Sequence, residues 1–209
     1  SGLRPLHYAA SNGHRTITRL LLEAKACQTA RGTYRGEAAH TPLTIAAREG
    51  FKDLVEILVL WGADLNARAS GLSALHHAAR HGHSDVAACL VVAMAEVDAP
   101  SSTEFGRTPA MLAVKGGCVA LVGFLLAAQA DPSARDSRGH TFHDYCNNDL
   151  MQSFLERLAE SRPDSPNPSA VPLQRRLAMW VSWGRFCKLL LAIHGCAEDG
   201  GPVAVGPAS

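Results

Sequence analysis

A short phrase recurs along this chain, and it limits the fold more than any other feature. Arg4-Pro5-Leu6-His7-Tyr8-Ala9-Ala10 returns as Thr41-Pro42-Leu43-Thr44-Ile45-Ala46-Ala47, as Ser73-Ala74-Leu75-His76-His77-Ala78-Ala79 and as Thr108-Pro109-Ala110-Met111-Leu112-Ala113-Val114. A worn fifth copy starts at Thr141, and successive starts lie 37, 32, 35 and 33 residues apart. Nine residues after each of the first four starts stands a glycine, Gly13, Gly50, Gly82 and Gly117. Seventeen residues after every start stands a leucine: Leu21, Leu58, Leu90, Leu125 and Leu158. Anchors that keep their offset while the outer spacing varies mark units with insertions between them, the pattern of a repeat architecture.

Elementary conformational preferences assign each anchor a place. Thr or Ser ahead of Pro opens a helix, because the hydroxyl accepts from a free backbone N–H and proline fits the first turn. The glycine permits the left-handed conformation that closes that helix. The Ala-Ala pair lets neighbouring first helices pack closely, and a second helix follows, as in Asp53-Leu54-Val55-Glu56-Ile57-Leu58-Val59-Leu60. Gly62-Ala63-Asp64-Leu65-Asn66-Ala67 then makes the connecting turn. On this reading Leu43 and Leu75 are fully buried.

These residues resemble the ankyrin repeat, whose T-P-L-H-x-A-A, G-H and G-A-D-x-N phrases are nearly complete in the second and third units. The resemblance covers residues 1–160 and implies an all-α fold, a solenoid of stacked helix pairs with hairpin-like loops, to which a C-terminal helix is added. Arg4 replaces the capping Thr, Lys25 to His40 forms an insertion, and Phe142 and Leu150 replace Pro and Gly in a fifth unit that reads as a degenerate cap. Composition agrees with a packed chain: of 209 residues, 47% are hydrophobic and 19% charged. The net charge of +1 excludes a global basic field, so no nucleic-acid partner is expected. Six cysteines spaced singly, without a C-x-x-C pair, read as reduced thiols of a cytoplasmic or nuclear protein. The opening residues carry neither a methionine nor a signal-peptide core, so the chain reads as cut from something longer.

In the resembled family a partner protein binds the concave side, on hairpin tips and the exposed side of the first helices. Matched by motif position, the residues just before each start are Leu3, His40, Leu72, Arg107 and His140, and further hairpin residues are Phe105 and Arg138. The first helices contribute Ser11 and Asn12, Arg48 and Glu49, Arg80 and His81, and Lys115 and Gly116. Four successive units thus offer a cationic or protonatable group. A locally basic groove for an acidic or phosphorylated segment of another protein is the sharp expectation; ordinary solvated surface charge is the plain one.

Catalytic and metal chemistry find little footing. His77 and His81 share a helix face, but His7, His14, His76 and His83 fall on the repeat's own positions, and no regular set of further ligands stands nearby. No phosphate loop, G-x-S-x-G elbow or H-E-x-x-H helix occurs. Gly116-Gly117 reads as a helix end, and Cys146 near His143 as a core thiol. The chain is expected to be no enzyme and to need no cofactor or metal.

Past the repeats, residues 161–172 are rich in Pro and Ser and read as a linker. Residues 173–196 read as an amphipathic basic helix, too short an apolar run to span a membrane, and 197–209 as a disordered tail. The helix has three readings: it docks back on the stack, it meets a membrane surface or a helix-binding partner, or it is an adaptor element. For the third, Ser182-Trp183-Gly184-Arg185-Phe186-Cys187-Lys188-Leu189-Leu190-Leu191 is similar to the start of a SOCS box, although Trp183 stands where that pattern has Leu. That likeness implies elongin binding and a substrate-recognition adaptor of a ubiquitin ligase.

Overall fold

A computed structural model of the chain describes residues 2–146 and 149–160. The linker, the basic helix, its SOCS-box-like stretch and the tail expected from the sequence lie outside these described residues. Four helix pairs follow one another: α1 (Pro5–Ser11) with α2 (Arg15–Glu23), α3 (Pro42–Glu49) with α4 (Lys52–Leu60), α5 (Ala74–His81) with α6 (Ser84–Val92), and α7 (Pro109–Lys115) with α8 (Val119–Ala127). The first helices lie side by side in one layer, α1 on α3 on α5 on α7, and the second helices form another in the same order. Helices of seven to nine residues are marginal alone. Here each is held by the neighbours that cover its apolar face.

The repeated phrase explains this packing position by position. Leu43 and Leu75 are buried as expected, and the Ala pairs 46–47 and 78–79 are wholly covered, allowing the first helices their close approach. Three of the leucines at the fixed offset, Leu58, Leu90 and Leu125, lie in the common core, and Leu21 packs partly buried against it. At the helix starts Thr41 Oγ1 accepts from Thr44 N at 3.3 Å and Thr108 Oγ1 from Met111 N at 3.4 Å. Gly50 and Gly82 close α3 and α5 with φ of 81° and 74°, the left-handed geometry foreseen. On the first repeat, which no preceding helix pair covers in this chain, Tyr8, Ile17 and Leu20 are exposed, whereas their counterparts Ile45, Leu54 and Ile57 are buried.

The loops supply the only regular strand structure among the described residues. Within the insertion, β1 (Gly32–Tyr34) pairs antiparallel with β2 (Glu37–His40) across Arg35-Gly36, whose φ values of 48° and 84° suit the tight turn. Ser70-Gly71 makes the equivalent turn before α5. The hairpins hang on one another: Ser70 N donates to Ala38 O at 3.2 Å, Ser102 N to Gly71 O at 2.9 Å, and Ser137 N to Phe105 O at 2.8 Å. The fifth unit is indeed worn. Its first helix shrinks to a 3-10 turn at Phe142–Tyr145, where Thr141 N donates to Asp144 Oδ2 at 2.7 Å, and α9 (Asp149–Glu160) follows with Met151 and Leu155 buried.

Candidate functional site

The tips of the hairpins and the C-terminal turns of the first helices lie together on one side of the stack. The structure corrects three expectations for this face. His40, Leu72 and Arg107 are only 0%, 2% and 8% exposed, so they are not the open tip residues expected of them. The physical reason is strand alternation: in an extended segment each step reverses the side-chain direction, and the residue before the helix start points into the core. The open tips lie one or two residues earlier, or four or five in the insertion, at Arg35-Gly36, Ser70-Gly71, Phe105-Gly106 and Arg138-Gly139. Motif position indicates Phe105 and Arg138; it does not indicate Arg35 and its neighbours Tyr34 and Glu37, whose sequence signal is the X-Gly pair between residues of extended type.

The first tip is charged but closed. Arg48 Nη1 meets Glu37 Oε2 at 3.1 Å and Arg35 Nη2 meets Glu49 Oε2 at 3.1 Å, while the Tyr34 hydroxyl donates to Glu49 Oε1 at 3.3 Å. Both guanidiniums also lie near the Tyr34 ring, 5.5 and 5.9 Å from its centre. Arg48 is therefore an internal brace more than a free cation. His40 sits beneath this cluster with Nε2 at 3.2 Å from Glu37; burial lowers its pKa, against the pull of that carboxylate.

The later tips are more open. Arg80 Nη1 and Arg107 Nη1 share the carboxylate of Glu104, at 2.7 and 3.1 Å. Arg107 lies against the Tyr145 ring, 4.5 Å from its centre, and Arg138 covers Phe105 at 3.4 Å. Asp136 anchors the last loop by accepting from the backbone of Arg138 at 2.8 Å and of His140 at 2.9 Å, and from the Tyr145 hydroxyl. Burial opposes its charge, but these donors hold its carboxyl below the usual range. Lys115 and His81 are exposed at the ends of their helices, as is Asn12, whose Nδ2 donates to Tyr8 O at 2.9 Å. Burial, then Arg48, lowers the His81 pKa. His140 is half-exposed. The structure thus gathers Arg48, Glu49, Arg80, His81, Phe105, Lys115, Arg138 and His140 along these tips and helix ends, and its positive charge is weighted toward the third to fifth units.

The repeat histidines act as struts. His7 and His76 receive the N–H of Arg4 and Ser73 on Nδ1, at 3.0 and 3.2 Å, and their Nε2 atoms donate to carbonyls of the next hairpin, His40 O at 3.1 Å and Arg107 O at 3.2 Å. His83 Nε2 donates back to Arg48 O at 3.0 Å. No grouping of three potential metal ligands occurs among the described residues, and none of their helices is long and apolar enough to cross a membrane.

The comparisons with known proteins agree with this geometry. The family model described as ankyrin repeats (3 copies) matches residues 1–69 and again 66–136. The chain belongs to the ankyrin-repeat family, whose stacks bind proteins. It is 37% identical over 120 residues to the rice protein named "Probable E3 ubiquitin-protein ligase XBOS33", a match covering 57% of this chain and 22% of that protein. It is 35% identical over 130 residues to the mouse "Nuclear factor NF-kappa-B p105 subunit", 61% of this chain and 13% of the relative. A shorter match, 41% over 68 residues, covers 32% of this chain and 15% of the mouse "Ankyrin repeat and SOCS box protein 16". The chain thus spans less than a quarter of each of these relatives.

Proposed function

We propose that the chain is a non-enzymatic recognition module that holds a partner protein along its hairpin tips and first-helix ends, with an acidic segment as the preferred ligand. The observation that carries this reading is the ladder of linked hairpins, which presents Arg80, Lys115, Phe105 and Arg138 on one rigid face. Rigid presentation reduces the ordering cost of binding. The plain view of these cations as solvated charges is weakest at the third to fifth units, where Arg80 and Arg107 share the single carboxylate of Glu104. The reading places the protein in the cytoplasm or nucleus, where free thiols such as Cys27 and Cys89 stay reduced. A photo-crosslinking amino acid in place of Lys115 tests it, with the same group in place of Asp85 on α6 as control. The reading expects a defined protein crosslinked from position 115 alone; equal capture from both positions contradicts it.

The names of the relatives favour a second reading, in which this stack is the substrate-recognition part of a ubiquitin-ligase adaptor. Two kinds of relative bear on it, one named an E3 ligase and one named for a SOCS box. Co-purification of the full chain with the elongin pair tests the SOCS-box form of this reading, and failure to co-purify removes it.

A further inference from the structure

The tips differ in how completely their cations are answered. At the first, Arg35 and Arg48 face Glu37 and Glu49, two charges against two. Farther along, Arg80 and Arg107 share Glu104 alone, and Arg138 has no carboxylate partner among the described residues. Its guanidinium is nonetheless fixed in place, 3.4 Å from the centre of the Phe105 ring. Stacking sets the plane of the guanidinium fork and leaves its outer N–H groups to solvent.

Phe105 itself is 46% exposed. It and Glu104 both hold positive φ, 62° and 54°, where side chains other than glycine are strained. The Phe105 carbonyl is tied to Ser137 N at 2.8 Å, and the Arg107 guanidinium lies 5.6 Å from the ring centre. A strained backbone, a bond to the next hairpin and two guanidiniums therefore hold an apolar ring out in water.

We propose that Phe105 and Arg138 form the anchor for an acidic protein segment. A partner carboxylate takes the open side of the Arg138 fork, and an apolar side chain beside it packs on the exposed part of the Phe105 ring. Glu104, which already occupies Arg80 and Arg107, keeps those two cations from competing for the ligand. The carboxylates of Glu37, Glu49 and Glu104 along the same face disfavour a nucleic-acid backbone, which needs a continuous run of cations. This inference rests on the reading of the tip face as the partner-binding surface.

The test is fluorescence anisotropy of the full chain with a labelled peptide that alternates glutamate and leucine, its glutamine counterpart, and a labelled oligothymidine. Phe105→Gly removes the ring and relieves the positive φ, so the fold is kept, which a thermal melt verifies. Phe105→Gly and Arg138→Gln are each expected to weaken the glutamate peptide about tenfold or more, with Arg35→Gln at the closed tip within about twofold of the parent. The glutamine peptide is expected to bind at least tenfold more weakly, to the order of magnitude of an anchoring ion pair. An unaltered affinity in both anchor variants overturns the proposal, as does an oligothymidine that binds as tightly as the glutamate peptide, or a parent chain that ignores the peptide. Loss of binding in Arg80→Glu with both anchor variants unaffected overturns the anchor and leaves the tip face standing; no effect from any of the three overturns both.

Discussion

His77→Leu is the substitution whose outcome follows most closely from the packing. The His77 ring is buried on α5, at the register position filled by Ile45 in the repeat before and Leu112 in the repeat after. Its Nε2 has no hydrogen-bond partner, and the His40 ring lies 5.2 Å away. Burial, helped by His40 and Arg48 and opposed by the backbone of Ala69, pushes its pKa down to about 3. In the unfolded chain a histidine titrates near ~6.5. Between these values the unfolded state binds a proton that the folded state refuses, so stability present above the unfolded pKa is lost as the pH falls. By about pH 5 the loss from this residue alone integrates to about 2 kcal/mol. Leucine removes the titrating group and its unpaired nitrogen, while the Ala69 carbonyl still accepts from Leu72 N at 2.9 Å. Near pH 7.5 the variant should match the wild type within about 1 kcal/mol. Urea unfolding followed by circular dichroism at both pH values measures the difference. His76, whose pKa burial lowers to about 4, contributes equally to both proteins and cancels. A variant that loses as much stability as the wild type on going to pH 5 would refute the reasoning.

Other outcomes follow from the same structure. Leu75→Ala, at a fully buried core position between α3 and α7, should cost about 2–5 kcal/mol in chemical unfolding; a loss under about 1 kcal/mol contradicts the register. Gly71→Ala sets a Cβ 2.8 Å from Thr103 N at a φ of 80°, and should lower stability by about 1–3 kcal/mol, with faster hydrogen exchange in both hairpins. Among the thiols, Cys89 is buried with its pKa pushed up to about 12, whereas exposed Cys27 is lowered by its hydrogen bonds to Thr29. Mass-spectrometric mapping of alkylation should find Cys27 modified well before Cys89.

What could be read from the sequence was whatever depends on local spacing. The helix starts at Thr41 and Thr108, the glycine closures at Gly50 and Gly82, and the burial of Leu43 and Leu75 all follow from offsets within one unit, and the structure has each of them. The face was legible only in outline. His40 and Leu72 were placed outward because motif position does not state side-chain direction, and in extended backbone a shift of one residue reverses it. The closing of the first tip was hidden for another reason. Arg48 at the end of α3 reaches back to Glu37 on β2, and no local spacing rule pairs residues 11 apart in a chain that turns between them. Similarly, the strain at Glu104 and Phe105 is a property of backbone angles that these residue types do not announce.

The most direct measurement is the affinity of a crosslinked partner for the wild type and for the Arg80→Glu, Lys115→Glu double variant, taken at low and moderate salt. If the face binds an acidic segment, the variant binds at least about tenfold more weakly and the wild type loses affinity with salt while the variant does not. Equal affinities with the same salt dependence would contradict the account.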